Sequence, residues 1–233
     1  MQQHDETWIR HLAAHGYPDA HPLGAGMEGA VYALHDDLVA KVWGDRSSAE
    51  LERLRLFYAD LSRAGLTFAT PYIERLLRVE DRWVTIERRL TGTPLADLDP
   101  QRSDRWPAAV ECVVDVLDQL RSVADTPALR GLAVIGEERP FWKGRASWPD
   151  ALSKLIIRKV ARFGDQLRTA VPGFDGMMER LLEWIATLSG SRLSLIHGDM
   201  IPANLLVDEE LRPVGVLDFG FLRPLAIRCS TRP

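Results

Sequence analysis

The sequence predicts an α+β protein of two lobes: a small antiparallel β-rich N-lobe with one helix, and a mainly helical C-lobe. Three observations carry that expectation. Up to about residue 90, short apolar runs alternate with glycine- and aspartate-bearing turns, which is the period of strands. Beyond Thr91-Gly92-Thr93-Pro94 the apolar period lengthens to that of helices. Near the C-terminal end the helical texture breaks at a polar stretch, His197-Gly198-Asp199-Met200-Ile201-Pro202-Ala203-Asn204, followed by Asp218-Phe219-Gly220. The expected division is residues 1–91 as N-lobe and 92–233 as C-lobe, with a ligand cleft between them.

The elements follow in order. Residues 5–15 read as a short helix with Trp8, Leu12 and Ile9 facing inward. From His21 to Gly44 a strand, the glycine-rich turn Gly24-Ala25-Gly26-Met27-Glu28-Gly29 and two further strands are expected, the last two joined at Asp36-Asp37. Ser47-Ser48 offers an N-cap for a helix to about Ala64, ended by Gly65. Ile73–Val79 and Arg82–Leu90 form a strand pair around Glu80-Asp81. Three helices follow. The first has Val110, Val113, Val114, Leu117 and Leu120 as its apolar stripe. The second has Leu152, Leu155, Ile156, Val160, Phe163 and Leu167, and the third has Met178, Leu181, Leu182, Ile185 and Leu188. A loop rich in Pro, Gly and Trp, Gly131 to Pro149, is expected to border a pocket.

Composition narrows the class. A chain of 233 residues can bury a real core, and its net charge of −4 comes without any run of Lys or Arg. Nothing therefore calls for nucleic acid or an anionic membrane. Cys112 reads as a small core residue, and with Cys229 far away neither a disulfide framework nor a zinc site is expected. The polar N-terminus does not resemble a signal peptide, and no apolar run is long enough for a bilayer. A soluble cytoplasmic protein of unspecified oligomeric state is the expectation.

The polar stretch carries the chemistry. Asp199 can orient and deprotonate an attacking hydroxyl, while Asn204 and Asp218 can offer oxygens to Mg²⁺, a hard ion that holds a nucleotide's phosphates. The alternative is a polar hairpin with accidental carboxylates. Gly24, Gly26 and Gly29 match G-x-G-x-x-G, but the motif opens into a strand and not a helix, which favours a hairpin lid over phosphates above a dinucleotide fold. An ordinary permissive hairpin is the bland alternative. Alternation puts Lys41 on one face with Val39 and Trp43, where an ammonium needs a counter-charge unless it reaches solvent at an edge. The helix from Ser48 offers Glu50, on a face with Leu54, Phe57 and Leu61, and Glu52, on a face with Arg55 and Arg63. Glu50 is the expected Lys41 partner.

Taken together, the glycine turn, strand lysine, helix glutamate, H-G-D-x-x-x-x-N and D-F-G resemble the aminoglycoside phosphotransferase family of the protein-kinase-like superfamily, from Gly24 to Gly220. His197-Gly198-Asp199, with Pro202 before Ala203-Asn204, is typical of that branch. The resemblance implies a bilobal protein-kinase-like fold and an ATP- and Mg-dependent transfer of the γ-phosphate to a hydroxyl of a small molecule, an antibiotic or a metabolite. It implies Asp199 as catalytic base, Asn204 and Asp218 as magnesium ligands, and Lys41, held by Glu50, on the α- and β-phosphates. Adenine would hang from backbone groups of Arg88-Arg89-Leu90, and His197 would brace the loop. A protein kinase is disfavoured, because no activation segment or A-P-E follows Asp218-Phe219-Gly220.

The chain stops thirteen residues after Gly220, where family members usually continue with further helices. Back-translating Arg223 to Pro233 with GC-rich codons, and reading from the third base, gives Ala-Ala-Gly-Asp-Pro-Leu-Phe-Asp-Pro-Ala. That resembles the Gly-Asp-Pro-x-x-Asp continuation common in such enzymes. The expectation is a frameshifted, C-terminally incomplete family member that exposes apolar surface along 110–120 and 178–188. In the Gly131 to Pro149 loop and the two helices after it, the acids available to an acceptor are Glu137, Glu138, Asp150, Asp165 and Asp175, with solvated surface the expected fate of most. The competing reading is a truncated, weakly active or inactive nucleotide-binding protein.

Overall fold

Five antiparallel strands make the N-terminal sheet of the computed structural model, which describes residues 2–26, 28–35, 37–98, 103–134, 136–137, 139–188, 193–219 and 225–227. They are β1 (His21–Gly26), β2 (Gly29–His35), β3 (Leu38–Trp43), β4 (Ile73–Val79) and β5 (Arg82–Arg88), in spatial order β1-β2-β3-β5-β4. Alternation sorts the two faces. Ala40 and Val42 of β3 join Tyr32, Val84 and Ile86 beneath Trp8 and Leu12 of α1 (Gln2–Ala14). Lys41 and Trp43 point to the opposite face, where Trp43 packs into the same cluster as α2 (Ser48–Leu61).

Local chemistry explains the ends of α2. The Ser47 hydroxyl accepts from the Glu50 amide, and the Glu50 carboxylate accepts from the Ser47 amide, a reciprocal capping box. The helix ends at Leu61, one turn short of the expected Ala64, and Gly65 at φ +73° carries the chain onward. At the glycine turn, Gly29 has φ +150°, and a Cβ there would lie 1.9 Å from the Val42 carbonyl oxygen. Only glycine lets β2 enter the sheet this close to β3.

The remainder is mainly helical. A short β6 (Thr93–Pro94) leads to α3 (Trp106–Ser122), α4 (Pro127–Arg130), α5 (Trp148–Ala170) and α6 (Phe174–Thr187). Then come β7 (Leu193–Leu195), β8 (Leu205–Val207), β9 (Pro213–Val216) and β10 (Leu225–Ile227). Strands β6, β8 and β9 form one small sheet, and β10 pairs antiparallel with β7. The observed fold is thus the expected mixture of an antiparallel N-terminal sheet and a helical later part.

One correction concerns α3. Its buried stripe is Ala109, Cys112, Val116 and Leu120, whereas Val110, Val114 and Leu117 of the expected stripe are exposed. The two stripes lie side by side on the helix, and the one containing the small residues Ala109 and Cys112 packs inward. Val110, Val114 and Leu117 on α3 and Trp184 on α6 are exposed apolar side chains within 110–120 and 178–188, and Met177 lies just before the second stretch. One apolar core joins both parts of the chain: Leu54 and Phe57 of α2 share it with Val116, Leu205, Val216 and Phe219. The backbone adds a seam, with the Ala69 amide donating to Val214 O (2.9 Å) and the Val216 amide to Ala69 O (3.0 Å).

Gly29→Ala is expected to lower unfolding stability by more than about 1 kcal/mol, since alanine meets both an unfavourable φ and the Val42 carbonyl. Urea denaturation of the two proteins measures it.

Candidate active site

The β8–β9 hairpin brings Asn204 and Asp218 together, because one precedes β8 and the other follows β9. The Leu217 amide donates to the Asn204 carbonyl at 2.8 Å, closing the hairpin's open end. The Asn204 amide nitrogen donates to the Asp199 carbonyl (2.9 Å) and to its carboxylate Oδ2 (3.2 Å). His197, only 2 % exposed, completes the ring: Nε2 donates to Leu217 O (2.7 Å) and Nδ1 accepts from the Asp199 amide (3.3 Å). Both imidazole nitrogens are committed to backbone groups, which fixes the neutral Nε2–H tautomer and makes His197 a brace. Phe219, fully buried, anchors the strand exit against His197 (4.5 Å between ring centroids), Phe57 (5.8 Å) and Tyr58 (6.4 Å). Asp218 itself sits at φ +52°, in the left-handed region that aspartate enters more readily than most residues but that is still sparsely populated outside glycine.

Lys41 reaches this ring from the sheet. Its Nζ lies 3.7 Å from Asp218 Oδ1 and 4.1 Å from the centroid of the Trp43 ring. Its shortest ion pair, however, is with Glu28 Oε2 at 2.8 Å, and the other Glu28 oxygen holds Arg46 Nη2 at 2.7 Å. The expected Lys41–Glu50 pair is therefore replaced by Lys41–Glu28. Glu50 stands at the third position of α2 and is turned back into its capping box, with Arg46 3.6 Å away. Burial alone would raise its pKa, but the Ser47 amide and hydroxyl and the Arg46 charge hold it below the ordinary value. Glu52 pairs with Arg55, as its solvated face implied.

Sequence reasoning missed both Glu28 and Glu87. The signal for Glu28 was the β2–β3 register, which places it opposite Gly44 just beyond Trp43. Glu87 stands across from Val39, and Thr85 across from Lys41, so alternation puts Glu87 on the lysine's face. The Trp43 indole N–H donates to Thr85 Oγ1, and the Thr85 hydroxyl donates to Glu87. Burial pushes the Glu87 carboxyl above its ordinary range; Lys41 and Thr85 pull it down, and Asp218 and Glu28 push it up.

Of the remaining candidates, Gly24, Gly26 and Gly29 lie at the β1–β2 turn as expected. The Arg89 amide donates to Asp37 O (2.9 Å), so Arg89 can offer a base only its carbonyl; Leu90 follows it, half-buried. Gly220 lies outside the described residues, as do 221–224 and 228–233, so of the Arg223–Pro233 stretch that carries the frameshift reading only 225–227 are described. Of the available acids, Asp150, Asp165 and Asp175 lie at the surface in ion pairs, with Arg145 and Arg168, as expected for most of them, whereas Glu137 is largely buried against Arg158 and Lys159. Glu138 is outside the described residues. The 131–149 loop does border a cavity, with Pro127, Arg130 and Trp142, but none of the residues above line it. A second cavity of about 570 Å³ abuts the loop after Asp199 and is lined by Leu98, Trp106, Val110, Ile201 and Pro202 among others.

A lysine-bearing antiparallel sheet set over an Asp–Asn–Asp loop and hairpin is the arrangement of the protein-kinase-like superfamily. Within it, the model of the phosphotransferase enzyme family (APH) matches residues 19–224, and the chain belongs to that family. No curated protein sequence matches the chain significantly. Solved structures share its fold. The GDP and kanamycin complex of APH(2")-IIia aligns over 97 % of this chain and 74 % of that one, at 16 % identity and a TM-score of 0.60. The streptomycin–ATP–APH(2")-IIa ternary complex aligns over 92 % and 70 %, at 19 % identity and 0.56. The macrolide 2'-phosphotransferase MphH from Brachybacterium faecium aligns over 92 % and 71 %, at 19 % identity and 0.55. Among the described residues no helix is long and apolar enough to cross a membrane.

Two expectations follow from these side chains. Glu50→Ala removes half of the capping box and is expected to cost about 1 kcal/mol in urea denaturation. For Glu87, a folded pKa above the unfolded value means that stability is lost as pH rises from the ordinary carboxylate range to the folded value. Glu87→Gln abolishes that loss, so urea midpoints of the variant are expected to exceed the parent's at neutral pH and to converge below the ordinary carboxylate pKa.

Proposed function

We propose that the chain is an ATP- and Mg²⁺-dependent small-molecule O-phosphotransferase, transferring the γ-phosphoryl group to a hydroxyl of an antibiotic or metabolite. The observation that carries this reading is the closed ring of hydrogen bonds that fixes Asp199 and Asn204, with Asp218 next in the chain to the ring member Leu217 and 3.7 Å from the Lys41 ammonium. Positioned charge of this kind is what phosphoryl transfer needs from a protein.

Each group has a role consistent with its surroundings. Asp199, its carboxylate oriented by the Asn204 amide, accepts the acceptor's hydroxyl proton as the oxygen–phosphorus bond forms and the bond to the bridging oxygen breaks, releasing ADP. Lys41 meets the phosphate chain, and the Gly24–Gly29 turn covers it with backbone rather than side chain. Arg88, Arg89 and Leu90 border the base. The donor chemistry fits magnesium: with the Asn204 side-chain nitrogen turned to Asp199, the Asn204 side-chain oxygen and the Asp218 carboxylate are both hard oxygen donors. Among the described residues no cluster of three His, Cys, Asp or Glu side chains forms a metal cage, and an ion held largely by phosphates and water does not require one. Magnesium, when bound, supplies neutralising charge to the phosphates.

Single-turnover transfer from γ-labelled ATP to a panel of hydroxyl-bearing antibiotics and metabolites tests the reading. Labelled product is expected with at least one acceptor. Asp199→Asn is expected to slow its formation by about a thousandfold while leaving ATP binding intact. ATP binding without transfer to any acceptor would replace this reading with that of an inactive nucleotide-binding protein.

A further inference from the structure

We propose that Glu28 is the residue that positions Lys41 for the phosphate chain, and that it acts from the glycine turn, so that seating the turn and placing the lysine are one event. The inference rests on the phosphotransferase reading of the site. Glu28 holds Lys41 at 2.8 Å and Arg46 at 2.7 Å, with its side chain only 8 % exposed. A carboxylate buried to this degree needs both partners, and each cation in turn is placed by it.

The backbone makes this a fixed arrangement and not a passing contact. The Gly44 amide donates to the Glu28 carbonyl at 2.9 Å, and Gly26 pairs with Gly29 across the turn. The next residue, Gly29, lies so close to Val42 that no side chain would fit between them. The Cα of Glu28 is thereby pinned over the end of β3, with its carboxylate directed at the lysine. The acids at the start of α2 are otherwise engaged, Glu50 in the helix cap and Glu52 with Arg55. Glu28 is shared between two cations, one on each carboxylate oxygen, so it is not a one-to-one partner of the lysine; Lys41 also lies 3.7 Å from Asp218, and Arg46 3.6 Å from Glu50. Arg46 is therefore part of the device.

The test compares the parent with Glu28→Gln, which keeps the shape and removes the charge, and with Glu28→Asp. Calorimetric titration with ATP and Mg²⁺ is expected to show affinity about tenfold weaker in Glu28→Gln. Partial recovery is expected in Glu28→Asp. The KM for the acceptor is expected to stay unchanged, and the Gly26 and Gly29 amides to exchange hydrogen faster in Glu28→Gln. Unchanged affinity in Glu28→Gln overturns the proposal, and tighter binding overturns it too, because the carboxylate would then be a competitor for the lysine. If Glu28→Gln does not fold, Arg46→Gln serves: weaker ATP binding with an unchanged acceptor KM supports the proposal, and unchanged ATP affinity overturns it. A parent that binds no ATP removes the phosphotransferase reading and this inference together. A parent that binds ATP no better than Glu28→Gln removes only this inference.

Discussion

The ammonium of Lys41 is the constraint around which the rest of the site is arranged. It sits on a sheet face that also carries Trp43 and the buried Thr85 and Glu87, away from bulk water. A charge placed there must be met by opposite charge, and the chain meets it from two directions. Glu28 comes from the β1–β2 turn and Asp218 from the end of the β8–β9 hairpin. The lysine thus links a turn near residue 28 to a segment near residue 218, across the same boundary that the continuous apolar core spans.

Beneath the lysine, preorganisation comes from backbone chemistry. His197, Leu217, Asn204 and Asp199 are bonded in sequence around a ring whose members come from the loop before β8 and the end of β9. Phe219 locks that ring to α2 through Phe57 and Tyr58, so the hairpin cannot shift without disturbing α2. The left-handed Asp218 is held between these anchors.

Much of this was legible in the sequence, and the exceptions share a cause. Strand alternation placed Lys41 beside Trp43, turn residues located the hairpins, and the Asp199–Asn204–Asp218 set stood out as polarity inside apolar runs. His197 as a brace was likewise foreseen. Glu50 was misjudged because its helical phase suits the buried stripe, yet at the third position of α2 its carboxylate is captured by Ser47, a local bond that helical periodicity does not encode. Glu28 is invisible to motif reading, since it occupies a variable position of the glycine motif and its partner depends on cross-strand register. The stripe of α3 failed for a similar reason: two neighbouring stripes are apolar, and tertiary packing selected the one with smaller residues. Arg89 shows a finer limit, its amide being claimed by the β2–β3 turn.

The central claim is that Lys41 and Asp218 together form a magnesium-dependent nucleotide site. Thermal unfolding with ATP, with and without Mg²⁺, in the parent and in Asp218→Ala, tests it most directly. At a hundred times its dissociation constant, a ligand stabilises the folded state by about 2.7 kcal/mol. The account predicts a rise in Tm that needs both Mg²⁺ and Asp218. A parent that unfolds cooperatively at the same Tm with and without ATP and Mg²⁺ would contradict it.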